Sequence, residues 1–300
     1  IMLSVDADGN IVGKIGTTEY IKISVDADTG ELTFTQLENI WHGDTDDHDD
    51  TATLTLDEGV LELVQTVTDA DGDTATAAFD LGASGVLKIE DDGPSAELHV
   101  FDEGDTKPVI TLDETDLDDD GIKATVDFSG YFGTPDHGQD GAGKVAYSLK
   151  LNLGENETET GSGLYAVDPD ADDGQGGEIM LSVDQDGNIV GKIGNTEYLK
   201  LSIDADTGEL SFTQYQNIWH GDTSDHDDAE ALTLDEGVLL LVQTVTDADG
   251  DSNSKSIDLG TSSVLKIKDD GPSAALHEFD LKDMPPAITL DETDLDDDGI

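Results

Sequence analysis

Apolar and polar residues alternate with a period of two along most of the chain, and short clusters of Asp, Gly and Asn interrupt the alternation. Ile179-Met180-Leu181-Ser182-Val183 runs into Asp184-Gln185-Asp186-Gly187-Asn188 and returns through residues 189–193, which predicts a hairpin. A second hairpin is predicted from 198–203 across the turn 204–208 to 209–213. A third runs from 238–246 across Asp247-Ala248-Asp249-Gly250-Asp251 to 252–259, and 264–268 supplies a last strand. Earlier in the chain, 122–132 and 145–153 read as strands too. No stretch keeps a 3.6-residue period over a useful length, so helices are not expected.

The pattern repeats. Residues 1–122 recur at 179–300 with a constant offset of 178, and 93 of the 122 positions are identical without a gap. A period of that length exceeds solenoid units and is large enough for a domain with its own core. Boundaries fall where Pro follows a turn and the alternation lapses, at Asp91-Asp92-Gly93-Pro94 and Asp269-Asp270-Gly271-Pro272. On that register 1–93 is the C-terminal part of one module, 94–271 a whole module with a candidate internal joint near 168–177, and 272–300 the start of a third. The chain opens at Ile1 within a predicted strand, which suggests a piece of a longer array. Many short strands with regular turns predict an all-β fold of tandem β-sandwich modules, immunoglobulin- or cadherin-like.

Charge changes the picture. The 300 residues carry 71 Asp plus Glu against 13 basic residues, all Lys, for a net charge of −58. Such a chain repels nucleic acid and anionic lipid, and without Arg it has no bidentate grip on phosphate. It also repels itself, so an unaided fold is in doubt and a counter-charge is expected. There is no Cys, which excludes disulfides and thiolate metal sites and leaves a hard cation held by oxygen ligands. With no apolar run of about 18 residues and no apolar-cored leader, neither membrane insertion nor a signal peptide is expected.

The carboxylates collect at turns and module ends. Asp116-Leu117-Asp118-Asp119-Asp120-Gly121 has the alternate spacing of a calcium loop, with Asp127 at the twelfth position. Asp116, Asp118 and Asp120 are therefore candidate ligands, against the alternative of an acidic turn with no fixed ion. Asp69-Ala70-Asp71-Gly72-Asp73 and its copy Asp247, Asp249 and Asp251 are hairpin turns in their own right. Their company raises them: Asp91 and Asp92, or Asp269 and Asp270, follow about twenty residues later, and Leu112-Asp113-Glu114-Thr115 opens the next module. Strands running along the module axis would bring these groups together, so several calcium ions per module, bridging neighbouring modules, are expected. The turns at Asp6, Asp8 and Asn10, and at Asp184, Asp186 and Asn188, are explained by ordinary turn chemistry.

Trp41-His42-Gly43-Asp44-Thr45-Asp46-Asp47-His48-Asp49-Asp50 recurs at 219–228 with Ser224 in place of Asp46. Histidines among carboxylates can hold zinc, but no third His is close in sequence. Calcium on the Asp residues, or an acidic loop anchored by a packed Trp, are the other readings. Nucleophilic triads, phosphate loops and nucleotide fingerprints are absent, and in so acidic a chain paired carboxylates carry no catalytic signal. No enzyme activity is expected.

Thr246-Asp247-Ala248-Asp249-Gly250-Asp251, Lys268-Asp269-Asp270-Gly271-Pro272 and Leu112-Asp113-Glu114-Thr115 resemble the tandem repeats of giant repeats-in-toxin (RTX) adhesins exported by type I secretion. The resemblance covers the whole chain and implies calcium-dependent immunoglobulin-like extender modules. These would project a distal ligand-binding domain from a Gram-negative cell surface for attachment or biofilm formation. It departs in having no Gly-Gly-x-Gly-x-Asp nonapeptide run, so the calcium β-roll and secretion signal would lie elsewhere. Two other readings stay open: a carbohydrate- or protein-binding module using the Trp loops, and acidity of the halophile type without discrete ion sites.

Overall fold

The computed structural model describes residues 1–45, 47, 49–100, 108–261, 263–272 and 274. The expected start of a third module at 272–300 therefore lies almost entirely outside the described residues, as do Asp46 and His48 of the first Trp loop.

The described chain is almost wholly β. The first copy contains β1 (Met2–Val5), β2 (Ile11–Ile15), β3 (Thr18–Val25), β4 (Leu32–Gln36), β5 (Thr51–Thr53), β6 (Glu62–Thr68), β7 (Thr74–Asp80) and β8 (Lys88–Glu90). The second contains β9 (Ile110–Asp113), β10 (Ile122–Asp127), β11 (Ala142–Leu151), β12 (Thr160–Val167), β13 (Gln175–Val183) and β14 (Ile189–Ile193). It continues with β15 (Thr196–Ile203), β16 (Glu209–Gln214), β17 (Ala229–Ala231), β18 (Leu239–Asp247), β19 (Ser252–Asp258) and β20 (Leu265–Lys268). Two 3-10 turns, Glu114–Asp116 and Ser129–Tyr131, are the helical elements among the described residues.

In the second copy a six-stranded antiparallel sheet runs β10-β16-β15-β14-β13-β12. Sheets of order β11-β18-β19 and β17-β20-β9 complete the sandwich. Alternation places every second residue inward: Ile179, Leu181, Leu199, Leu201, Leu210 and Phe212 from the large sheet meet Leu239, Leu241, Ile110 and Ile267 from the others in one core. Gly191 sits between two of these strands, where a Cβ would come 2.6 Å from the Leu199 side chain and 2.9 Å from that of Ile179. β9 pairs parallel with β20, Leu265 opposite Ile110, so the front of the module is stitched to its end. The stretch 168–177, read above as a candidate joint, is the turn from β12 to β13 together with the first residues of β13, and one core spans both sides of it.

The two copies provide an internal comparison. Val245 on β18 is fully buried, while Val67, its counterpart on β6, is 59% exposed. The local sequence is the same; the difference is that β18 pairs with both β11 and β19, whereas β6 pairs with β7 alone among the described residues. Burial at these positions is set by the partner strand, not by the strand's own residues.

Candidate metal centre between the copies

The chain leaves β8 at Glu90 and runs directly onto the second copy. Asp91, which follows, is only 8% exposed. Ser95 and Asp136 exchange both backbone hydrogen bonds at 2.9 and 3.3 Å. The amide of Gly133 donates to the Glu97 carbonyl at 2.7 Å, and that of His99 to the Tyr131 carbonyl at 3.1 Å. The linker is thus a short strand docked on the loops at 131–140. Gly138 makes this possible: its φ is +65°, and a Cβ there would come 1.9 Å from the Asp92 carbonyl oxygen.

The docked linker delivers Asp91 to the turn between β18 and β19. In that turn Asp247 Oδ1 accepts the amides of Gly250 and Asp251 at 3.0 and 2.8 Å, an Asx arrangement that shapes the loop. The other carboxylate oxygens converge. Asp91, Asp140 and Asp249 each place an oxygen within 4.8 Å of the others, as do Asp247, Asp249 and Asp251, so Asp249 belongs to both groups. His42 of the first copy caps the cluster, its amide donating to Asp249 Oδ2 at 3.3 Å. A cleft of about 100 Å³ lined by His42, Asp91, Asp92 and Asp140 opens beside it.

Five carboxylates in one buried place are an electrostatic problem. Asp247 and Asp251 are 3% and 1% exposed. Both oxygens of Asp91, Asp247 Oδ2, Asp249 Oδ1 and Asp251 Oδ2 are buried without a hydrogen-bond partner. Burial, then the neighbouring Asp91 carboxyl, push Asp251 up to about 7. Burial and Asp91 likewise push Asp140 up to about 6. Burial raises Asp247, with Asp249 adding to the effect. Burial also works against ionisation of Asp91, but the proton-holding Asp251 and Asp140 carboxyls beside it outweigh burial and leave Asp91 lowered. The group therefore needs protons or a cation to share the charge. An all-oxygen donor set of this size suits calcium, which takes 6–8 oxygens at about 2.3–2.6 Å.

The other predicted ligands are placed differently. Asp92 and Asp270 follow Asp91 and Asp269 but are exposed; Asp92 Oδ2 accepts the Gln139 amide at 3.1 Å, which helps seat the linker. Asp69, Asp71 and Asp73 come within ligand distance of one another, but all three are exposed, and among the described residues no further ligand joins their group. Asp116, Asp118 and Asp120 are exposed and are not brought together as a ligand group; Asp118 Oδ1 instead takes the Asp120 amide at 2.9 Å. Asp113 caps the 3-10 turn by accepting the Thr115 amide at 3.1 Å. That turn directs Glu114 inward, where it groups with His220 and Asp269. In the second Trp loop, Trp219 donates to the Asp173 carbonyl at 2.9 Å and meets Tyr165 edge-on, whereas Trp41 is 72% exposed.

Sequence reasoning did not single out Asp140. It lies in the 123–178 portion of the repeat, which has no second copy in the chain, so self-comparison could not mark it; its only local signal is the Gly141 that follows.

The family described as a domain of unknown function (DUF5801) matches residues 1–82 and 109–260, one segment in each copy. Comparison with curated proteins and with solved structures gives no match. Since the matched segments cover most of the chain and leave out the docked linker between the copies, the protein belongs to the DUF5801 family.

Proposed function

We propose that this chain is a structural extender: a run of β-sandwich modules that calcium locks end to end, serving as a spacer in a secreted bacterial surface adhesin of the RTX type. The observation that carries this reading is the junction cluster, in which Asp91 of one copy meets Asp140, Asp249 and Asp251 of the next. Bound there, calcium would supply the positive charge that the orphaned buried oxygens lack. Asp91, Asp140 and Asp249 would hold it across the joint, and Asp247 and Asp251 would complete or adjoin the shell. The gapless repeat supports an array, and the role asked of the residues is mechanical, with no catalytic step.

The charge fits passage from a calcium-poor cytosol to a calcium-rich exterior. Self-repulsion keeps the chain loose before export, and millimolar calcium suffices for sites of about 10⁻⁴–10⁻³ M affinity. At 100 times the dissociation constant, each independent site stabilises the folded state by about 2.7 kcal/mol. For a module of this size that is a rise of roughly 5–10 °C in melting temperature per site. Scanning calorimetry with millimolar calcium and then with chelator tests this. An unchanged melting temperature contradicts the proposal, and stabilisation by molar sodium chloride alone favours halophile-type acidity. The alternative of a binding module has less support, because the Trp of the complete copy is occupied by Asp173 and Tyr165.

A further inference from the structure

A second group of ligand atoms lies inside the complete copy, and its chemistry differs from that of the junction. We propose that Glu114, His220 and Asp269 form a site for a divalent transition-metal ion of the zinc class. Their ligand atoms all lie within 4.8 Å of one another. They come from the 3-10 turn after β9, the loop after β16 and the end of β20, so the site exists only in the folded module.

Burial and missing partners point to a ligand. Glu114 is 4% exposed and the His220 side chain 5%. Both ring nitrogens of His220 are buried without a hydrogen bond. Nδ1 lies 3.1 Å from Asp228 Oδ1 but not in hydrogen-bonding direction, and Nε2 lies 3.9 Å from Glu114 Oε2. An imidazole with Nδ1 beside one carboxylate and Nε2 near another has the components of a carboxylate–histidine–metal triad, whose Nδ1–Asp228 hydrogen bond would form as the ring turns onto the ion. Asp228 would orient the ring, leaving Nε2 for the ion. Glu114 is held for the purpose: Oε1 accepts the Ile218 amide at 2.8 Å and the Gln214 side chain, and Oε2 accepts Asn217 Nδ2 at 3.1 Å.

The donor set decides the metal. Imidazole is a poor ligand for calcium but suits zinc and its neighbours, and carboxylates complete such sites. With metal–ligand bonds of about 2.0–2.1 Å, tetrahedral ligand atoms stand roughly 3.3 Å apart, so the 3.9 Å gap between His220 and Glu114 closes by about half an ångström and the gaps to Asp269 by at most about 1.5 Å. Among the described residues the first copy groups its ligands differently: His42 keeps its aspartate, Asp50 Oδ1 lying 2.5 Å from Nδ1, but Asp91, the counterpart of Asp269, faces the junction.

The test is calorimetric titration of the full chain with zinc chloride in excess calcium, so that the outcome is independent of the junction reading. One zinc per chain is expected at a site calcium does not compete for. His220→Ala should weaken it by about 100-fold or more, and Asp228→Ala by about 10–100-fold. His226→Ala, an exposed histidine of the same loop, should leave it unchanged. X-ray absorption at the zinc edge of the wild-type chain gives a readout that needs no variant, with imidazole among nitrogen and oxygen ligands at about 2.0–2.1 Å. Absence of zinc binding, displacement by calcium, retention of full affinity in His220→Ala, or a zinc shell lacking imidazole would overturn the assignment.

Discussion

In calcium-free buffer the melting temperature of this protein is expected to fall as pH rises from about 4 to about 7, the reverse of ordinary acid denaturation. The cause is the junction cluster, where Asp251 is raised to about 7 and Asp140 to about 6, from an ordinary value of 3.8. In that window the folded state holds protons that the unfolded chain has released, so stability declines with pH. The contribution is fully present below the unfolded value and is lost as pH passes through the folded ones. Calcium takes the place of those protons, so its affinity should rise across the same interval and its presence should flatten the slope. At the acid end another set of groups acts in the opposite sense. Hydrogen bonds from Asn10 hold Asp6 at about 2, and those from Asn188 hold Asp184 at about 2, so their stabilisation is lost only as pH falls from about 4 towards 2. Calorimetry at pH 4.5 and 7.5, in metal-stripped buffer and with calcium, measures both effects. A calcium-free melting temperature that climbs over this range would contradict the cluster's assigned protonation.

Gly138→Ala is expected to uncouple the two copies while leaving each folded. A side chain at φ +65° costs about 1–3 kcal/mol in strain. The added Cβ also meets the Asp92 carbonyl, a backbone atom that can retreat only by lifting the linker. Lifting it withdraws Asp91 from Asp140 and Asp249. The calcium stoichiometry should therefore drop by the junction ion, and small-angle scattering at saturating calcium should show a broadened distribution of distances. Asp91→Ala should cause the same loss of calcium with the backbone docking kept. An unchanged calcium count in both variants would mean that the ion, if bound, sits elsewhere.

What could be read from the sequence was what depends on neighbours along the chain. The hairpins at 179–193 and 238–259 follow from alternation and Asx turns, and both form where expected. Of the junction motifs, Asp91 of the linker does meet the turn of Asp247, Asp249 and Asp251, but Asp69, Asp71 and Asp73 stay apart and the 112–120 segment does not join them. Long-range placement was not legible. The parallel pairing of β9 with β20 joins residues about 155 positions apart, and nothing in either strand's alternation marks it. At 116–120 the alternate spacing does not gather the carboxylates: Asp118 accepts the Asp120 amide, the turn stays exposed, and among the described residues no strand or linker packs over it to bury the three side chains together. Glu114 was a candidate for its place in the module-opening motif, but its partner His220 lies 106 positions away and only the fold unites them.

The most direct test of the central claim is a crystal structure of the chain grown with calcium, using anomalous scattering to identify the ion. The expected result is calcium within about 2.3–2.6 Å of oxygens from Asp91 and from Asp140 or Asp249, joining the two copies. An ordered junction whose carboxylates are bridged by protons or water alone would contradict it.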